Sequence, residues 1–325
     1  MKNPTLANLI DRIDAAQRIA LILHVSPDGD TCGSALALRR ALLFRDKDVT
    51  CACDNAVPHI YRGLDGADAV VAPGTLKGQR FDLSIAIDVA DRDRMGESLA
   101  VFDAGDRTAQ IDHHHTNPGY AEANYIRSPL SATGVLTMEV IDALGVPLDL
   151  AIAENIFVAV ATDTGNFKQE NTDGEALRIA ARCVDAGVNP AKITRRVFDL
   201  RPPAQIGLMA RAFASLTTYE DGRLAIMRLT AEDFAEAGAL PEHTEGIVNF
   251  AINTEGVEIA CLMSRPAEKV RCSLRCLPPH DVSIIACALG GGGHAAAAGC
   301  TMEPPLEDAQ ERMLVEMKKE LYKQR

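Results

Sequence analysis

The chain lacks several features that would assign it to a class at once. Among its nine cysteines no pair is spaced CxxC, although Cys51/Cys53 and Cys272/Cys276 lie close in sequence. A disulfide framework or a zinc site is therefore not expected, and cysteines scattered in this way read as small buried apolar residues. No apolar run approaches the roughly 18 residues that a membrane helix needs. Met1 to Ala20 carries charges and has no continuous apolar stretch, which argues against a secretory signal. A cytoplasmic protein with no membrane partner is the expectation. Positive charge is also scarce: 33 basic residues against 45 acidic ones leave a net charge of −12. A broad basic face for long duplex nucleic acid is not expected. Short anionic ligands stay open, provided a local basic cluster and metal ions compensate. There is no internal repeat and no low-complexity tail.

What the chain does have is enough length for two domains, at 325 residues, and a globular composition with 47% hydrophobic and 24% charged residues. Buried-strand patterns occur at residues 19–23, 49–53, 83–87 and 109–111, and helical patterns at 6–19, 34–44, 130–144, 148–161 and 175–186. A strand, a glycine-containing turn and a helix is the opening of a parallel α/β sheet. Pro202-Pro203 interrupts the pattern. The expected division is a first domain over 1–199, a linker helix over 200–216 and a second domain over 217–325. The fold class is α/β: a mainly parallel sheet flanked by helices, followed by a smaller α/β domain. In the latter, strands are expected at 224–229, 257–263 and 270–274, and helices at 231–237, 244–253, 282–289 and 306–322.

Acidic and histidine clusters fall at or just past the apolar runs of the first domain: His24, Asp28 and Asp30; Asp88; Asp112-His113-His114-His115; and Asp163. Strand ends deliver side chains to a shared crevice, and carboxylates gathered there repel one another unless cations neutralise them. His24, Asp28, Asp30, Asp88, His113 and Asp163 supply six candidate ligands. Mixed carboxylate and imidazole donors favour Mn²⁺, with Mg²⁺ or Co²⁺ overlapping in demand. Two such ions can hold a phosphate and activate a water between them. Asp91 reads as a capping or supporting group, Asp93 as exposed, and His115 has no assigned role.

In the second domain Arg265, Lys269, Arg271 and Arg275 fall within eleven residues. On a strand Arg271, Ser273 and Arg275 share a face, and arginine forks suit phosphate oxygens. The run Gly290 to Gly293, ending at His294, lets backbone N–H groups approach an anion closely.

The ordered set His24-x-x-Pro27-Asp28-Gly29-Asp30, Asp88, Asp112-His113-His114 and Thr162-Asp163-Thr164-Gly165 resembles the DHH phosphoesterase superfamily. The Gly290–His294 run with Ala297 and Gly299 resembles the DHHA1 domain of that superfamily. The resemblance covers nearly the whole chain and looks most like the NrnA-type group, nanoRNases that also dephosphorylate 3′-phosphoadenosine 5′-phosphate (pAp). It implies one Mn²⁺ on His24 and Asp28, a second on Asp30, His113 and Asp163, and Asp88 bridging both. It implies His114 on the scissile phosphate, Asp112 orienting His113, and substrate held by Arg265, Arg271, Ser273, Arg275, Gly291, Gly292, Gly293 and His294. The expected function is a Mn²⁺-dependent oligoribonuclease and 3′(2′),5′-bisphosphate nucleotidase acting on short RNA and small nucleotides. A phosphodiesterase for pGpG, pApA or cyclic di-AMP, pyrophosphate or polyphosphate hydrolysis, and a nucleotide sensor without turnover are the competing readings. Relatives imply a homodimer.

Overall fold

The computed structural model describes residues 4–323. The chain divides into two compact units, Met1–Leu200 and Arg201–Arg325.

The first unit is built on a six-stranded sheet. Its strands are β1 (Arg18–Ile22), β2 (Asp48–Ala52), β3 (Val70–Val71), β4 (Leu83–Ile87), β5 (Thr108–Asp112) and β6 (Ala123–Ile126). Their order is β3-β2-β1-β4-β5-β6, with every pairing parallel. The strand order reverses between β1 and β4, and ligands of such sheets bind beyond the carboxyl ends of the strands at that reversal. The residues that follow β1 and β4, His24 and Asp88, sit at this point. The helices are α1 (Pro4–Ala15), α2 (Gly29–Leu43), α3 (Leu99–Asp103), α4 (Thr133–Ala143), α5 (Leu150–Asp163), α6 (Gly174–Asp185) and α7 (Pro190–Thr194).

Helix α2 begins five residues earlier than its apolar pattern alone suggests, because Asp28 caps it by accepting from the Thr31 N–H at 3.0 Å. It packs so closely on α5 that a Cβ at Gly33 would lie 2.3 Å from the Asn155 carbonyl oxygen, and one at Gly29 2.4 Å from the Thr162 side chain. The glycine of Asp28-Gly29-Asp30 is therefore required by helix packing.

The second unit contains β7 (Thr217–Tyr219), β8 (Leu224–Leu229), β9 (Ile259–Ser264), β10 (Val270–Cys276), β11 (Gly292–His294) and β12 (Ala297–Met302), in the order β11-β12-β10-β9-β8-β7. Among the described pairings of this second sheet, β8 with β9 is parallel and the others are antiparallel. Its helices are α8 (Pro203–Ala214), α9 (Ala231–Ala237), α10 (Val248–Ile252), α11 (Val282–Ala288) and α12 (Leu306–Leu321). One face of the sheet packs Met263, Cys272 and Leu274 with Ile285 of α11 and Met313 and Met317 of α12. On the other face, Met227, Ala260 and Leu262 pack with Leu208 of α8 and Val248 and Ala251 of α10. All nine cysteines are free thiols and eight are buried. Among the described residues no helix is long and apolar enough to cross a membrane.

Within the glycine run, Gly292–His294 forms a short edge strand, paired antiparallel to β12. Gly291 must be glycine because a Cβ there would meet the Gly299 carbonyl oxygen at 2.1 Å.

Candidate metal centre

The first unit brings all six candidate ligands together. His24, Asp28 and Asp88 form one group of donor atoms within 4.8 Å of one another; Asp30, His113 and Asp163 form a second, and Asp88, His113 and His114 a third. Asp88 links the sets: its Oδ2 lies 3.7 Å from His24 Nε2, and its Oδ1 lies 3.7 Å from His113 Nε2. His113 Nε2 also stands 3.9 Å from Asp30 Oδ2 and 3.7 Å from Asp163 Oδ2. These separations are too long for hydrogen bonds and suit atoms that share an ion.

The surroundings support the same reading. Asp30 and Asp88 are almost fully buried, at 1% and 3% exposure. Burial, with the charges of Asp88, Asp163 and Asp28, pushes the Asp30 carboxyl well above the usual carboxylate range. Burial is also the main cause that raises Asp163, to about 6. Burial opposes protonation of His24, but the Asp28 and Asp88 carboxylates overcome it and lift the imidazole to about 9. A protein does not gather this many buried carboxylates without a cation to offset them. Carboxylates with imidazoles and no thiolate fit a hard or borderline divalent ion.

Each ligand is held by neighbours. Asp30 accepts from the N–H groups of Thr133 at 2.7 Å and Gly134 at 2.9 Å, at the start of α4, and from Ser34 Oγ at 3.1 Å. Asp88 has φ of +60°, which an aspartate tolerates better than most residues. Its Oδ2 accepts from the Thr31 hydroxyl at 2.7 Å and its Oδ1 from the Thr133 hydroxyl at 2.8 Å. His24 Nδ1 lies 2.8 Å from the Val25 carbonyl oxygen and His113 Nδ1 lies 2.9 Å from that of Leu130, which leaves each Nε2 directed at the carboxylates.

One expected role changes. Asp112 does not orient His113; its Oδ1 lies 2.7 Å from His114 Nδ1, and the Leu130 carbonyl serves His113 instead. Asp112 is fully buried at the end of β5, and Asn117 also donates to it. The hydrogen bond to Asp112 raises the pKa of His114. His115 and Asp93 are exposed, and Asp91 caps the following turn by accepting from the Arg94 N–H at 3.1 Å. Thr31, Thr133, Asn117 and Leu130 were not among the expected site residues. Hydroxyls that begin α2 and α4 were the available signal.

In the second unit, strand register sorts the substrate-binding candidates. Arg275 is opposite Ala297, and Ala297 is opposite His294; Ser273 is opposite Gly299, and Gly299 opposite Gly292. Opposed residues share a sheet face, so Arg271, Ser273, Arg275, Gly292 and His294 lie on one side. Arg271 and His294 are exposed there, while Ser273 and Arg275 are half-buried. Gly291 packs against Gly299 and Cys300, and Gly293, opposite Ala298, belongs to the other side. Arg265 follows β9, with its backbone N–H bonded to Leu229 and its Nε buried without a partner. Lys269 is paired with Glu303, which removes it from the positive island.

Comparisons with known proteins agree with this architecture. A family model described as the DHH family N-terminal domain matches residues 18–162, and the DHHA1 domain model matches residues 221–323. A Thermus thermophilus protein named bifunctional oligoribonuclease and PAP phosphatase NrnA is 32% identical, with 93% of this chain and 90% of that protein covered. A Streptococcus mutans protein named as a probable enzyme of the same kind is 22% identical, with 90% and 91% covered. A Bacteroides fragilis structure described as an exopolyphosphatase-related protein superposes with a TM-score of 0.88 at 24% identity, covering 97% of this chain and 96% of that one. A manganese-bound RecJ exonuclease structure shares the fold more loosely, with a TM-score of 0.58 at 15% identity, covering 98% and 96%. With two domain models matched in order and a relative similar over nearly its whole length, the chain belongs to the DHH–DHHA1 superfamily of metal-dependent phosphoesterases.

Proposed function

We propose that this protein hydrolyses short oligoribonucleotides to nucleoside monophosphates and removes the 3′-phosphate of pAp to give AMP. The observation that carries the reading is the pair of donor sets joined through Asp88. His24 and Asp28 would hold one Mn²⁺, Asp30, His113 and Asp163 the other, and Asp88 both. Such ions, when bound, neutralise phosphate charge and lower the pKa of water between them. His114, tied through Nδ1 to Asp112, would present Nε2 to the phosphate. In the second unit Arg271, Ser273, Arg275 and His294 would grip substrate phosphate at the edge of the sheet where Arg271 and His294 are exposed, with Arg265 beside them and the backbone of Gly291, Gly292 and Gly293 allowing close approach. The names of the Thermus and Streptococcus relatives favour this substrate class, and the net charge of −12 favours short substrates over long ones. The protein would act in the cytoplasm, and a homodimer is its proposed assembly.

The test is product analysis with Mn²⁺ on pAp, RNA of two to five nucleotides, a 24-nucleotide RNA, pGpG, cyclic di-AMP and pyrophosphate. Mononucleotides from the short RNAs, together with phosphate from pAp, are the expected result. Turnover of a single dinucleotide, or of none of the panel, would overturn it.

A further inference from the structure

Arg94 contacts the metal centre and has no role in the reading above. Its Nη2 lies 3.0 Å from His24 Nδ1. Among the described residues no carboxylate forms an ion pair with it, although the surface around it is acidic: Asp91 caps its own turn, and Arg92 is the residue that pairs with Asp103. Among the described residues it is the one arginine or lysine in contact with a side chain of the two donor sets.

Its position is fixed by the backbone rather than by the side chain. The Arg94 carbonyl accepts from the Val25 N–H at 2.8 Å, and its N–H donates to Asp91 at 3.1 Å. Two residues on, Gly96 adopts φ of +58°, and a Cβ there would lie 2.2 Å from an Asp54 carboxylate oxygen. That carboxylate accepts from the Glu97 N–H at 2.6 Å and from the Ser98 N–H and hydroxyl at 2.9 and 2.8 Å. The turn that carries Arg94 is thus tied to the segments that follow β1 and β2.

The contact with His24 is incompatible with the tautomer that a metal ligand needs. Nδ1 is within reach of both the Val25 carbonyl, which requires Nδ1–H, and a guanidinium that has only hydrogens to offer. With Nδ1–H directed at the Val25 carbonyl, as Nε2 ligation requires, His24 offers the guanidinium no acceptor. A guanidinium held beside the metal centre without a carboxylate partner is available to an anion. The charge count agrees: Asp28, Asp30, Asp88 and Asp163 offset two divalent ions, so a phosphate arriving at the centre needs a further cation.

We infer that Arg94 is a substrate-binding residue of the centre, its guanidinium taking a phosphate oxygen of the ligand on the His24 side. This rests on the reading above only in requiring a phosphate at the centre.

The experiment measures inorganic phosphate and AMP binding to the Mn²⁺-loaded full chain by calorimetry, with bound Mn²⁺ counted by paramagnetic resonance, in wild type, Arg94→Met and Arg94→Lys. Arg94→Met should weaken both ligands about tenfold or more, the scale of one charge-assisted hydrogen bond, while Mn²⁺ number and affinity stay as in wild type, and Arg94→Lys should restore part of the loss. Unchanged phosphate binding in Arg94→Met, or loss of Mn²⁺ from both variants, would overturn the inference. If the wild type binds phosphate but turns over no nucleotide, and Arg94→Met still loses phosphate, the nucleotide reading fails and Arg94 keeps its role.

Discussion

The Thr133 hydroxyl donates to Asp88 Oδ1 at 2.8 Å, across 45 residues of chain. Thr31 does the same for Oδ2 at 2.7 Å. Each oxygen of the proposed bridging carboxylate therefore has one hydroxyl holding it, and both hydroxyls are fully buried. Thr133→Val keeps the shape and removes the donor. We expect a ten- to hundredfold loss in Mn²⁺ affinity or turnover, as for other groups that orient a ligand, with far-UV circular dichroism unchanged. Wild-type affinity in the variant would mean that Asp88 is not a ligand.

Asp88→Asn should retain the fold, since asparagine also tolerates the left-handed backbone at that position, and should abolish hydrolysis of every substrate. Residual turnover within tenfold of wild type, measured by phosphate release, would rule out the shared-ligand arrangement.

Loading the centre should stabilise the first unit. The raised pKa of Asp30 reports its burial first and then repulsion from Asp88, Asp163 and Asp28, and an ion that binds only the folded state adds about 2.7 kcal/mol at one hundred times its Kd. The melting temperature should therefore climb with added Mn²⁺ and fall back on chelation; a melt indifferent to both would contradict the centre.

Gly33→Ala places a methyl group where the Asn155 carbonyl already sits. Overpacking of this kind costs about 1–3 kcal/mol, and the loss should appear in urea unfolding of the full chain. No change in midpoint would show that α2 and α5 can separate without penalty.

In the second unit Arg223 and then His280 hold the Glu258 carboxyl down at about 2. A carboxyl whose folded pKa is depressed stabilises the protein above its unfolded pKa, here 4.5, and loses that contribution as pH falls through about 2. The side chain is one-third exposed, so solvent screening limits the effect to about 1 kcal/mol or less. Glu258→Gln should be less stable than wild type at pH 6, and the gap should close between pH 4.5 and 2. A gap that is constant over this range would assign the loss to packing.

The candidate ligands were legible in the sequence because carboxylates and imidazoles placed after apolar runs stand out, and a parallel α/β sheet must bring strand ends together. The groups that hold those ligands were hidden for physical reasons. Thr31 and Thr133 look like any hydroxyl in a first helical turn. The Leu130 carbonyl that fixes His113 leaves no mark in a side-chain pattern. The assignment of Asp112 to His113 rather than His114 turned on which of two adjacent rings points back along the strand. Strand β6 was missed because it is only four residues long, and Ile126 on its less buried side blurs the alternation that Ala123 and Tyr125 show in burial. The edge strand β11 was missed because two of its three residues are glycines, which carry no side-chain pattern.

The proposed ligands span residues 24 to 163 and arrive on separate pieces of chain: the β1–α2 turn, the ends of β4 and β5, and the last residue of α5. Such distant contacts form late, after long loops have closed. A nascent chain that has emerged only through β6 holds both histidines and three of the four carboxylates but lacks Asp163. Ion uptake at the second set would therefore report that the chain has been synthesised and packed at least through α5, the helix that brings the last ligand.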